Sequence, residues 1–391
     1  MKIAVLGHRR FPIKEPFAGG LEHFTHTLVT GLEKRGCQVT LFAHPDSDRS
    51  LPLSLEPIFD TSFCLTYEEE SHEAYLNIMD YLSRENFDLV HDNSLNYFPI
   101  ILEDCLNAPL VTTLHTPPFP RLLSAVRYRE RRKRGYYISV SQFNSKLWGL
   151  ENRFEVIHNG VDTDLFTYSD NCLKNRVVWT GRIIPDKGTH LAIAAAQKAG
   201  VDLIIAGSIS DRDYWEKQIA PHIGRGVEYA GHLAQADLVT LLQSAIVTLC
   251  TPVWSEPFGL VVIESLACGT PVVAFDRGAM SEIIDVQTGV IVPPNDTDAM
   301  AEGIKKAQKL SRYACRNLVL DRFSLNTMLD KYVTAYERII NQHNRPKICT
   351  LATTYTHTVT DTPKEPEPSL NTVKSLSPSS ALTLVDKTGT Q

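Results

Sequence analysis

Short apolar runs rich in β-branched residues alternate along this chain with segments of helical period, and the alternation starts a second time midway. In the first half, Ile3–Leu6, Gln38–Ala43, Leu89–His91, Leu110–Leu114 and Tyr137–Val140 predict strands, with helices near Leu21–Arg35 and Glu69–Arg84. Continuous apolar runs separated by helices imply parallel strands covered on both faces. After Val156-Ile157-His158-Asn159-Gly160-Val161-Asp162 the pattern begins again, with strands expected at Val177–Thr180, Leu203–Gly207, Val227–Tyr229, Ile246–Cys250, Val272–Phe275 and Gly289–Val292. The fold class is therefore α/β, two doubly wound parallel-sheet domains at 1–160 and 161–324. Between Leu325 and Asn341, Met328, Tyr332, Val333, Tyr336 and Ile339 recur at helical spacing, predicting a last amphipathic helix within 325–343. From 344 to 391, Thr, Ser, Pro and Lys dominate without periodicity, and a disordered tail is expected because so little apolar area cannot offset ordering entropy.

Composition narrows the function classes. A chain of 391 residues, 43% hydrophobic and 21% charged, can bury two ordinary cores. A formal net charge of -6 argues against a general nucleic-acid binder. The eight cysteines form no Cys-x-x-Cys pair, and the thirteen histidines show no metal-ligand spacing, so neither a disulfide scaffold nor a metal site is expected. The opening Met1–Arg10 reads as a buried strand ended by charge and not as a signal peptide, and no apolar window is long enough to span a bilayer. A cytoplasmic location is the expectation.

Chemistry concentrates in Ser255-Glu256-Pro257-Phe258-Gly259-Leu260-Val261-Val262-Ile263-Glu264, followed by Gly269-Thr270-Pro271-Val272-Val273. Pro257 suits the first turn of a helix, and the N–H groups near Phe258 and Gly259 would then face an anion. On one helix Glu256 and Glu264 would lie about 12 Å apart along the axis, close to the span between sugar and ribose in an extended nucleotide sugar. Either acid alone would fit an ordinary helix with a carboxylate near its N-terminus or on a solvated face.

Other motifs stand at predicted strand ends. Gly19-Gly20, between the first strand and first helix, permits close backbone approach to a ligand, although strand-to-helix turns often carry glycine. Gly181-Arg182 and Lys187 place two cations on a loop where they can converge on a diphosphate; most such pairs are solvated turns. His115 ends a buried strand, where open α/β sheets bind ligands, yet a lone histidine is more often structural. Gly231 ends another strand. The basic run Arg127–Arg134 reads first as a solvated helix face and second as a contact for an anionic acceptor or membrane surface. No Gly-x-Gly-x-x-Gly fingerprint follows the first strand, which disfavours a dehydrogenase.

Taken together, the Glu, seven residues, Glu pattern, the Gly-Gly loop, the Gly-Arg…Lys-Gly loop and the strand-end histidine resemble the retaining glycosyltransferases of family 4, over roughly residues 1–343. That resemblance implies the GT-B fold, two Rossmann-like domains facing a cleft, with the last helix returning to the first domain. It further implies transfer of a hexose from a nucleoside diphosphate sugar, a UDP-sugar in preference to GDP-mannose, to a hydroxyl of a saccharide, lipid or small-molecule acceptor. By resemblance Glu256 holds the sugar, His115 faces it, and Arg182 and Lys187 stabilise the departing diphosphate. Gly19, Gly20, Gly181, Gly231, Phe258, Gly259, Leu260 and Glu264 would bind the donor, Glu264 at the ribose. No metal or other cofactor is implied. A sugar-nucleotide epimerase and a non-catalytic nucleotide-sugar binder remain the alternative readings.

Overall fold

The first lobe is a six-stranded sheet in which β1 (Lys2–Leu6) sits beside β2 (Gln38–Phe42) on one side and β3 (Leu89–Asp92) on the other. β4 (Leu110–Leu114), β5 (Tyr136–Ser139) and β6 (Phe154–Val156) follow, giving the order β2-β1-β3-β4-β5-β6. The second lobe repeats the scheme with β7 (Arg176–Thr180), β8 (Asp202–Ala206), β9 (Val227–Gly231), β10 (Val247–Cys250), β11 (Val272–Phe275) and β12 (Gly289–Val292). Its order is β12-β11-β10-β7-β8-β9. Every pairing is parallel. The structure, a computed structural model, describes residues 1–54, 67–132, 135–149, 154–173 and 175–344. The tail expected to be disordered lies outside the described residues, apart from Asn344.

The strand positions follow from burial on both faces. β1, β3, β4, β10 and β11 are almost wholly buried, so their sequences read as unbroken apolar runs and not as alternations. One strand was not anticipated: β6, three residues at the sheet edge with Glu155 at its centre, is too short and too polar to carry that signature. Both lobes fall within one compact unit, Met1–Arg345.

The helix Leu325–His343 buries Met328, Leu329, Tyr332, Ala335, Tyr336 and Ile339 in the same core as Ile3, Val5, Leu28 and Leu32 of the first lobe. Its entry is fixed by Ser324, whose hydroxyl accepts from the Thr327 N–H, and by exchange of backbone hydrogen bonds between Val161 and the Phe323–Leu325 segment. Inside this core the Tyr336 hydroxyl lies 2.7 Å from His91 Nδ1, and His91 Nε2 lies 2.7 Å from Thr113 Oγ1. Burial lowers the His91 pKa to about 3, so at neutral pH the ring is uncharged and can accept from Tyr336 while donating to Thr113.

Two outcomes follow for stability. Tyr336→Phe strands a buried imidazole nitrogen and should cost about 1–3 kcal/mol. A urea unfolding midpoint equal to that of the unsubstituted protein would contradict this. The second outcome concerns acid. His26, His44, His91 and His190 all have pKa values lowered by burial. Each therefore contributes stability present above its unfolded value of about 6.5 and lost as pH falls below it. Asp92, raised to about 6 by burial against hydrogen bonds from Ser94 and Thr112, acts in the opposite sense and offsets only part of that loss. The thermal midpoint should thus fall steadily from pH 7 toward pH 4; a flat profile would refute the linkage.

Candidate active site

In an open parallel sheet, a crevice forms at the carboxyl ends of two neighbouring strands whose connections run to opposite sides. In the second lobe those strands are β7 and β10, adjacent in space and far apart in sequence. β7 runs into Gly181 and Arg182, and β10 into Thr251, Trp254 and Glu256. In the first lobe the corresponding pair is β1 and β3, with β4 and His115 next to them. The two crevices face one cleft of about 470 Å³, lined among others by Gly19, Gly20, His115, Arg182, Lys187 and Glu256.

The helix expected from Glu256 onward begins later. Gly259 is its N-cap, at φ 101°, and the helix runs from Leu260 to Ala267. Pro257 is consequently outside the first turn, and Glu256 stands on the preceding loop, so the separation of about 12 Å along a shared helix does not apply. Gly259 is required by that left-handed geometry, and a Cβ there would lie 2.5 Å from Met280 Cε. Phe258, placed by sequence among the donor-binding residues, is 2% exposed and packs its ring 5.9 Å from His158 and 6.1 Å from Phe323. It borders the cleft as part of its floor.

The loop acid is held on three sides. Lys187 Nζ donates to Glu256 Oε2 at 2.5 Å, Trp254 Nε1 donates to the same oxygen at 2.9 Å, and the Glu256 carbonyl accepts from the Ala279 N–H at 2.9 Å. Lys187 also lies 5.0 Å from the Trp254 ring centroid. Arg182 reaches across to the glycine loop: a Cβ on Gly19 would lie 3.7 Å from its Nε. A Cβ on Gly20 would meet Leu260 Cδ1 at 3.0 Å, so the start of the first-lobe helix Gly20–Lys34 faces the start of the Leu260–Ala267 helix.

Glu264, 5% exposed, does lie on the helix, with Oε1 3.3 Å from His23 Nδ1 of the first lobe. His23 stacks on Phe17 at 5.1 Å and its Nε2 lies 2.6 Å from the Gln235 amide nitrogen. Beside it, His232, which follows Gly231, directs Nε2 to the Phe17 carbonyl at 2.9 Å. Sequence reasoning missed His23, Phe17 and also Glu22, 5% exposed and 3.7 Å from His8 Nδ1. The available signal was their position within one turn of Gly19-Gly20.

His115 directs Nε2 to Asn93 Oδ1 at 2.7 Å and packs edge-on against Phe24 at 4.6 Å. Burial lowers its pKa to about 3, so at neutral pH it is an uncharged hydrogen-bonding group. Thr116 Oγ1, Asn159 Oδ1 and Thr180 Oγ1 line the cleft as buried polar atoms without a hydrogen-bond partner in the protein, capacity that a polar ligand can take up. Among the described residues, no group of three or more His, Cys, Asp or Glu is arranged to hold a metal ion, and no helix is long and apolar enough to cross a membrane.

The basic run needs one correction. Arg129, 1% exposed, turns inward to bond Glu103 at 2.7 Å and Asp104 at 2.8 Å, so it is part of the lobe's interior. Arg127, Arg131 and Arg132 remain exposed, while 133 and 134 lie outside the described residues.

Residues 170–317 match the family described as Glycosyl transferases group 1, and residues 18–165 match Glycosyltransferase Family 4. The chain is 32% identical over 183 residues to a glycogen synthase of Mycobacterium tuberculosis, covering 42% of this chain and 44% of that protein. It is 31% identical over 223 residues to a D-inositol 3-phosphate glycosyltransferase of Mycobacteroides abscessus, covering 50% of this chain and 48% of that one. The matched part thus spans about half the length of these curated relatives. Among solved structures, sucrose-phosphate synthase from Thermosynechococcus elongatus superposes with a TM-score of 0.72 at 19% identity, covering 88% of this chain and 100% of that one. HepE of Anabaena in complex with UDP-glucose gives 0.69 at 21% identity, covering 86% and 100%. With two switch-point crevices facing one cleft, this chain has the GT-B fold, and each lobe resembles one of the two glycosyltransferase families that it matches.

Proposed function

We propose that the protein is a retaining, metal-independent glycosyltransferase that moves a hexose from a nucleoside diphosphate sugar to an acceptor hydroxyl. The observation that carries this reading is that Arg182, Lys187 and Glu256, at one switch point, line the same cleft as Gly19, Gly20 and His115, with Arg182 approaching Gly19. The donor would lie along the second lobe, with its base near Gly231, its ribose at Glu264 and its diphosphate between Arg182, Lys187 and the N–H groups around Gly259. Its hexose would rest at Glu256 and His115. A uridine donor is favoured by the likeness to HepE, whose structures hold UDP and UDP-glucose, and GDP-mannose is the competing donor.

As the glycosidic bond breaks, negative charge grows on the leaving diphosphate, and cations fixed beforehand stabilise it without a metal. Lys187 is already paired with Glu256, so its ammonium is oriented before the donor arrives. His115, uncharged at neutral pH, would hydrogen-bond the sugar and need not act as a base. Retention would come from attack on the face the diphosphate leaves, with a phosphate oxygen taking the acceptor proton. The acceptor, a saccharide, lipid or small molecule, would enter from the first lobe. Location would be cytoplasmic, and attachment to an anionic membrane surface would use Arg127, Arg131 and Arg132.

The two acids should separate experimentally. Glu256→Ala removes the sugar contact and should lower single-turnover rate on the order of 100-fold. Because Lys187 is then freed, UDP should bind at least as well. Glu264→Ala should weaken UDP itself by about 1.5–3 kcal/mol, the contribution of a hydrogen bond to a charged group. Calorimetry with UDP that showed the reverse pattern would interchange the two ends of the donor. Activity should also survive EDTA; loss restored by magnesium or manganese would overturn the metal-independent reading.

A further inference from the structure

The first turn of the helix Gln142–Trp148 belongs to the first lobe but is gripped by the second. Glu282, on the short helix Met280–Ile283, accepts from the backbone N–H groups of Gln142 at 2.8 Å and Phe143 at 3.1 Å. Its Oε1 also lies 2.6 Å from Nε2 of His158, in the segment that joins the lobes. A carboxylate facing open N–H groups makes strong, charge-assisted bonds. Desolvation alone would raise the Glu282 pKa, yet the hydrogen bonds from His158, Gln142 and Phe143 outweigh it and leave the value lowered.

The same turn reaches both sides of the cleft. The Ser141 hydroxyl donates to the Pro257 carbonyl at 2.6 Å, one residue after Glu256. Asn144 Nδ2 donates to the Leu114 carbonyl at 2.7 Å, one residue before His115. Ser141 and Asn144 are fully buried and are bonded to each other, the Asn144 N–H to Ser141 Oγ at 2.9 Å. On the Glu282 side, Ala279 holds the Glu256 carbonyl, and Gly278 admits that contact because a Cβ there would lie 2.0 Å from the same oxygen.

We propose that Glu282 is a positioning residue: through the Ser141–Asn144 turn it sets the separation between His115 and Glu256 across the cleft. The catalytic consequence rests on the donor reading above; the mechanical tie does not. Reacting groups displaced by about 1 Å can lose on the order of 100-fold in rate, so loosening this tie should act on turnover and spare nucleotide affinity.

The test uses full-length Glu282→Ala and Glu282→Gln, the second retaining one acceptor oxygen and serving if the first does not fold. UDP affinity, UDP-glucose hydrolysis and amide hydrogen exchange are measured on each. We expect UDP affinity within about threefold of the unsubstituted protein and hydrolysis reduced about 10-fold or more. Exchange should quicken at Gln142 and Phe143 and also at Leu114–Thr116 and Glu256–Gly259. Quickening confined to Gln142 and Phe143, or unchanged hydrolysis by a variant with the loosened turn, would overturn the proposal. If the unsubstituted protein neither bound UDP nor hydrolysed UDP-glucose, the donor reading would fail by itself, and the exchange pattern would still decide whether Glu282 ties the lobes.

Discussion

Reversal of strand order at β1/β3 and at β7/β10 is the constraint on which the rest of this structure depends. Parallel strands place all their carboxyl ends on one edge, and connections that depart in opposite directions leave that edge uncovered at one point. In each lobe the uncovered point carries the loops with unusual chemistry: Gly19-Gly20 after β1, and Arg182, Lys187, Trp254 and Glu256 after β7 and β10. The cleft is a product of topology first and of side chains second.

Its electrostatics are self-compensating. Glu256 faces Lys187 and Trp254, and Glu264 faces His23, so neither acid is left alone in a partly buried site. A buried carboxylate without a partner would be strongly unfavourable. These pairings also mean that a ligand reaching either acid must exchange with existing contacts. His115 differs: burial keeps it neutral, so it contributes directional hydrogen bonding without adding to the positive field made by Arg182 and Lys187.

Much of the fold was legible in the sequence because both faces of the central strands are buried, which produces runs such as Val272–Phe275 that few other environments require. Edge strand β6 escaped notice for the opposite reason. The site's strand-end residues could be located by the same logic, since a motif after a buried parallel strand has a fixed address. What could not be read was the local path of the chain around Glu256. Pro257 imitates a helix start, whereas the start is set by Gly259 at φ 101° and by packing against Met280. Likewise the approach of His23 to Glu264 is a contact between lobes, with no local signature, and the inward turn of Arg129 depends on Glu103 and Asp104 from a different element.

The central claim is that this cleft binds a nucleoside diphosphate sugar by its diphosphate at Arg182 and Lys187. Calorimetric titration of UDP-glucose and GDP-mannose into the unsubstituted protein, Arg182→Ala and Lys187→Ala addresses it most directly. The account predicts saturable binding of one of the two donors, weakened about 10-fold or more by either substitution, as expected for loss of a charge-assisted bond. Failure of the unsubstituted protein to bind either donor, or equal affinity in both variants and the unsubstituted protein, would contradict it.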